Sequence, residues 1–170
     1  SACEENSEVP RPRAGPRVKP PFTVARLFER MRDILQLELV GQVDGLDREI
    51  RSAEVSSPGL VLAGYVERFP MHRLQVLGET EITYLASLTD EVRTRILSLF
   101  FSFPVPCVFI TKNQELPGGL AETAGAAGVP LLRSKLKTNE FYRRVKPVLE
   151  EAFAPTTTLH GSLADVYGVG

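Results

Sequence analysis

The sequence predicts an α/β domain containing a parallel βαβ element, and three observations predict it. The run "CVFI" follows Pro106 and gives way to polar residues, the composition of a short buried strand. A helical stretch from Leu120 to Ala127 comes next and is closed by Gly128. "VPLLR" then supplies a second strand, so strand, helix and strand succeed one another within about 25 residues, as in parallel neighbours joined by a crossover helix. Val108 and Ile110 are therefore expected in a central strand, parallel to one at Leu131 and Leu132.

The remaining elements follow in chain order. Residues 1–21 carry five prolines, scattered charges and almost no large apolar side chains, so they cannot offset the entropy of ordering. They predict a disordered Pro/Arg-rich extension, its arginines solvated or touching an acidic partner. Thr23 then reads as a helix N-cap, followed by Val24, Leu27, Phe28, Met31 and Leu35 at the spacing of one helical face. "LELVGQV" offers a strand and "DGLDREI" a turn, and "SSPGLVLAG" places Pro and Gly beside a small apolar helix. "RLQVLG" is a further strand.

Two helices are expected in "ETEITYLASL" and "TDEVRTRILSLFF", the second capped by Thr89 with Asp90 and Glu91 in its first turn. Beyond the βαβ unit a long helix opens at Thr138, carries Phe141, Val145, Val148, Leu149 and Phe153, and ends at Pro155. Pro147 is expected to kink it.

At 170 residues the chain has room for one ordinary domain, 22–154, with a tail or the first part of a second domain. Twenty Lys plus Arg against twenty-one Asp plus Glu leave a formal charge of −1, so no global field draws it to nucleic acid or anionic lipid. No apolar stretch approaches the length of a membrane span. Cys3 and Cys107 form neither a disulfide framework nor a metal-ligand cluster, which makes the reducing cytoplasm the expected setting.

Candidate chemistry is sparse. Gly118 and Gly119 lie between a strand and a helix, where backbone amides hold phosphates in some proteins, but neither GxGxxG nor GxxxxGK[ST] occurs, and an ordinary turn is the better reading. His72 has no neighbouring His or Cys and reads as a surface or strand-edge residue rather than a metal ligand. Cys107, among Pro106, Val108, Phe109 and Ile110, reads as an inert core thiol. His160 stands beside Gly161 in a Gly-rich segment with Asp165, where an imidazole could donate to a phosphate or move a proton, or be purely structural. Arg133 and Lys135, in "LLRSKLKT", are open to phosphate, to a neighbouring subunit or to solvent alone.

Four blocks taken together, "SSPGLVLAGY", "FPMHRLQVLGETEITYL", "VPLLRSKLKTNEF" and "LEEAFAPTTTLHGSLADVYGVG", resemble the N-terminal domain of HPr kinase/phosphorylase. The likeness runs in order from about Thr23 to Gly170, and the last block is its most specific part. The resemblance implies a domain similar to the N-terminal domain of Mur ligases, followed by the first strand of a P-loop kinase domain. In the family "DVYGVG" continues within a few residues into a Walker A loop, GxSGxGKS. The chain stops just short of it, which implies a truncated chain or one piece of a cleaved one.

For the whole enzyme the resemblance implies a cytoplasmic homohexamer in bacterial carbon catabolite control. It would phosphorylate a serine of its partner HPr with ATP or pyrophosphate and Mg²⁺, and reverse the reaction by phosphorolysis. For this chain it implies a regulatory or assembly role, with no cofactor bound, no metal and no activity alone. A stand-alone ligand-sensing or interaction domain is the alternative. The family's His-Gly pair falls on His160 and Gly161, a catalytic and a phosphate-proximal position in the intact enzyme, with Arg133 and Lys135 as further phosphate-proximal candidates. Thr156 stands where the family commonly has arginine, in "APRTT", and Ser134 where it has threonine, in "LLRTK".

Overall fold

The computed structural model describes residues 20–41 and 44–155. Its elements are α1 (Val24–Met31), β1 (Leu37–Val40), β2 (Val55–Ser56), α2 (Gly59–Leu62), β3 (Leu74–Leu77), α3 (Glu79–Ser87), α4 (Asp90–Phe101), β4 (Val108–Ile110), α5 (Leu120–Ala126), β5 (Leu131–Ser134) and α6 (Thr138–Phe153). The caps read from the sequence are in place. The Thr23 hydroxyl accepts the Arg26 amide at 3.3 Å, and the Thr89 hydroxyl accepts that of Val92 at 3.3 Å. α1 ends at Met31, one turn earlier than the apolar spacing suggests, because Gln36 at φ 50° reverses the chain into β1 while Leu35 still reaches the core. α6 runs through Pro147 without a break in its assignment.

The five strands among the described residues form one sheet in the order β1-β5-β4-β3-β2. β4 and β5 are parallel neighbours, with Val108 opposite Leu131 and Ile110 opposite Arg133, which is the pairing the βαβ spacing requires. β3 and β2 continue the parallel set, and β1 closes the other edge antiparallel to β5. The sheet is therefore mixed, and β2, only two residues long, has no counterpart in the sequence reading.

Side-chain alternation along the strands feeds two cores. Leu77, Val108, Ile110 and Leu131 pack with α2, α3, α4 and α5 on one face. Leu74, Val76, Phe109 and Leu132 pack with α1 and α6 on the other. Every residue of β4 is buried, which is why it reads as an unbroken apolar run. The result is a three-layer arrangement with β4 and β5 flanked by strands on both sides.

Cys107 is fully buried in the α1–α6 core, and burial pushes its thiol well above the ordinary range. The thiolate is the reactive form, so alkylation of Cys107 in the native protein should be negligible and should become rapid only in denaturant. Peptide mass spectrometry after timed iodoacetamide exposure checks this. Equal labelling rates in native and denatured protein would show that the site opens.

Residues 1–19 and 156–170 lie outside the described residues. The expected strand at "DVYGVG", Thr156, His160 and Gly161 fall there, as does nearly all of the N-terminal extension.

Candidate functional site

The strands β2 to β5 are parallel, so their carboxyl ends lie along one edge of the sheet. α3 leaves that edge from β3 toward one face, and α6 leaves it from β5 toward the other. Where helices that follow strands of one parallel set part to opposite faces, the strand ends are left uncovered and a crevice forms. Here it measures about 390 Å³ and is lined by residues following β2, β3, β4 and β5, among them Ser57, Gly78, Glu79, Lys112, Lys137 and Thr138.

Each lining group is positioned by its local backbone. After β4 the chain turns through Lys112 and Asn113, both in the left-handed region at φ 60° and 51°. Their amides donate to Leu136 and Ser134 carbonyls at 2.8 Å each, tying the turn to the end of β5. Lys112 Nζ then reaches across to Glu79 Oε2 at 2.5 Å. The hydrogen bond from Lys112, and its charge, hold the Glu79 carboxyl below the usual carboxylate range. Glu81 is also occupied: one oxygen accepts the Gly78 amide at 2.9 Å and the other accepts the Ser57 hydroxyl.

Gly78 floors the crevice. A Cβ there would lie 3.1 Å from the Thr138 hydroxyl oxygen and 3.2 Å from the Glu81 carboxylate. Thr138 opens α6 but does not cap it. Its hydroxyl instead meets that of buried Thr111 at 2.7 Å, and the N-cap position falls to Lys137, whose side chain makes no cap hydrogen bond. Half-buried Tyr142 completes the wall, its phenol pushed up first by burial and then by the charge of Glu81. The carboxylates are thus satisfied internally, while Lys137 is exposed and makes no ion pair among the described residues. Among the described residues no cluster of three or more His, Cys, Asp or Glu could hold a metal ion.

The candidates chosen from sequence lie elsewhere. Arg133 sits directly opposite Glu38 in the β1–β5 ladder and pairs with it, Nε to Oε1 at 2.6 Å, with a further bond to the Gln114 carbonyl at 3.3 Å. Lys135 borders a separate depression with Arg32, Asp33 and Gln36. His72 is exposed beside Arg48, Glu49 and Arg51, just before β3 and so near the opposite edge of the sheet. The Gly118–Gly119 turn is built around Arg93, whose Nε donates to the Gly118 carbonyl at 2.7 Å, and it has the ordinary structural role. His160 and Gly161 lie outside the described residues. Sequence reasoning passed over Glu79, Lys112 and Lys137, although each follows an apolar strand at its carboxyl end, and that position was the available signal.

Residues 22–149 match the family described as HPr Serine kinase N terminus. The chain is 39% identical over 144 residues to the HPr kinase/phosphorylases of Bacillus cytotoxicus and Bacillus mycoides, covering 83% of this chain and 47% of each of those proteins. A Bacillus cereus HPr kinase/phosphorylase is 38% identical over the same span. The chain thus spans about half the length of the curated relatives it matches. Among solved structures, a similar fold occurs in the CBS and DRTGG domains of the regulatory region of Clostridium perfringens pyrophosphatase, complexed with its activator diadenosine tetraphosphate. The TM-score is 0.51 at 11% identity, covering 72% of this chain and 48% of that one, a likeness of fold alone. No helix among the described residues is long and apolar enough to cross a membrane.

Proposed function

The chain belongs to the family of the HPr serine kinase N terminus, and on that premise we propose that it is the regulatory and assembly domain of a bifunctional HPr serine kinase/phosphorylase. The observation that carries this reading is the match of residues 22–149 to the N-terminal part of that family, in a chain spanning 47% of its relatives' length. In the whole enzyme, ATP or pyrophosphate with Mg²⁺ would phosphorylate a serine of HPr, and inorganic phosphate would reverse it, within a cytoplasmic homohexamer serving carbon catabolite control.

The division of labour follows from what phosphoryl transfer requires. The reaction depends on backbone amides, a lysine and Mg²⁺ that hold the phosphates and neutralise their charge. No GxxxxGK[ST] occurs in the 170 residues, and the crevice holds no such loop among its lining residues. The phosphate cradle and the contact with HPr are therefore assigned to the other half of the enzyme, with 155–170 as linker and first strand of the kinase sheet. The domain itself is assigned the Mur-ligase-like N-terminal architecture.

The 170-residue chain is expected to transfer no labelled phosphate from ATP to HPr. ATP-dependent labelling of HPr by this chain alone would overturn the assignment. The encoding gene separates this reading from that of a stand-alone interaction domain: a frame running past Gly170 into GxSGxGKS supports the enzyme, and a stop codon there supports the alternative.

A further inference from the structure

We propose that the crevice between α3 and α6 is a binding site for a small phosphate-bearing ligand, held by Lys112 and Lys137. The inference goes beyond the kinase reading and does not depend on it.

The first support is the balance of free hydrogen-bonding groups. Both carboxylates in the crevice are already engaged, Glu79 by Lys112 and Glu81 by Gly78 and Ser57. Lys137 and Asn139 line the same space, are exposed, and make no side-chain hydrogen bond among the described residues. Lys137 offers only donors and Asn139 a donor beside an acceptor, so the charge left unpaired is positive and the complementary ligand is negatively charged.

The second support is the way Lys112 is presented. Two successive non-glycine residues in the left-handed region are costly, and the hydrogen bonds from their amides to the Leu136 and Ser134 carbonyls hold them there. That turn is what aims a lysine over the strand ends. In the free protein its ammonium rests on exposed Glu79, a pair worth little in solvent and readily exchanged for a better-matched anion.

The third support is shape. Glycine at position 78 leaves room between Thr138 and Glu81, and the crevice of about 390 Å³ lies toward the small end of ligand pockets. A phosphate presents three terminal oxygens in different directions, which suits donors from two separated loops. A carboxylate presents two in one plane. The size favours a ligand no larger than a mononucleotide over a polymer.

Titration of the ¹⁵N-labelled 170-residue chain with inorganic phosphate, pyrophosphate and citrate at constant ionic strength tests the proposal. Saturable amide shifts are expected at Lys112, Lys137, Thr138 and Asn139 with the two phosphates. Lys137→Ala should weaken them about tenfold, the value of one charge-assisted hydrogen bond. Lys137→Gln should show the same loss, and Glu79→Gln should tighten binding severalfold by freeing Lys112. Lys135→Ala removes an exposed cation outside the crevice and should leave affinity within about twofold. Absence of saturable shifts below about 10 mM, a limit already corresponding to very weak binding, would overturn the site. So would equal losses in Lys135→Ala and Lys137→Ala, which would mean general charge attraction. Tighter binding of citrate than of either phosphate would overturn the ligand class.

Discussion

Phe109→Ala is expected to lower the free energy of unfolding by about 3–5 kcal/mol, the range for deleting a buried aromatic ring. Phe109 is fully buried in β4, which is flanked by β3 on one side and β5 on the other. Its ring lies against Phe141 of α6, with centroids 5.0 Å apart and planes at 53°. Truncation therefore removes apolar area from water exclusion and detaches the sheet from the helix that carries Lys137, Thr138 and Tyr142 at its start. Little can collapse into the space, because β4 is pinned by ladders on both edges. Against a typical net stability of about 5–15 kcal/mol, such a loss takes a large share. Urea denaturation should show a lower midpoint with an unchanged slope, and Phe109→Leu should recover most of the difference. A loss below about 1 kcal/mol for Phe109→Ala would mean that the face is not packed as described.

Legibility in the sequence tracked how local each cause is. Thr23 and Thr89 announce their helices because a cap acts within three residues, and both caps form as read. The parallel pairing of Val108–Ile110 with Leu131–Ser134 was legible because the first strand is wholly buried, the second is buried except at Arg133, and the helix between them is short. β2 was not legible, since two residues carry no alternation and Val55–Ser56 becomes a strand only by lying beside Leu74 and Gln75. Nor could the pattern of "LELV" reveal that β1 runs antiparallel, which depends on where the rest of the sheet lies.

The crevice was harder still, because its groups are strangers in sequence. Lys112 and Glu79 are 33 positions apart, and their meeting depends on β3 and β4 being neighbours with aligned ends. In the sequence Arg133 and Lys135 are cations open to phosphate, to a neighbouring subunit or to solvent. Only the register shows that Glu38 faces Arg133, 95 positions away, and occupies its guanidinium. Charge on a strand is readable, but its partner is a property of the sheet. What the sequence did hold was a positional rule left unapplied to these residues: in an open α/β sheet the polar residues just past the carboxyl ends of the strands are the first to inspect.

Gly45→Ala is expected to cost about 2–5 kcal/mol, from left-handed strain of about 1–2 kcal/mol plus about 1–3 kcal/mol of overpacking. Gly45 sits at φ +84°, and a Cβ on it would fall 1.9 Å from the carbonyl oxygen of Gly128, a contact that backbone on both sides makes hard to relieve. The segment it belongs to ties the start of α1 to the end of α5. Its Leu46 and Arg48 carbonyls accept the Ala25 and Val24 amides of α1 at 2.8 and 3.0 Å, and the Ile50 amide donates to the Phe22 carbonyl at 2.8 Å. The Arg48 guanidinium donates to the carbonyls of Ala127 and Gly128, at 3.4 and 3.2 Å, where α5 ends. Moving the loop to relieve the clash would pull on all of these bonds, so relief in one place reappears as lost hydrogen bonds in another. Gly64 provides the comparison: it has φ +99° and nothing within 4 Å of its added Cβ, so Gly64→Ala carries backbone strain without the clash. Urea denaturation of the two variants separates the contributions, with Gly45→Ala expected to lose at least about 1 kcal/mol more than Gly64→Ala. If the two variants lose the same amount, the close approach of Gly45 to the end of α5 does not exist in solution.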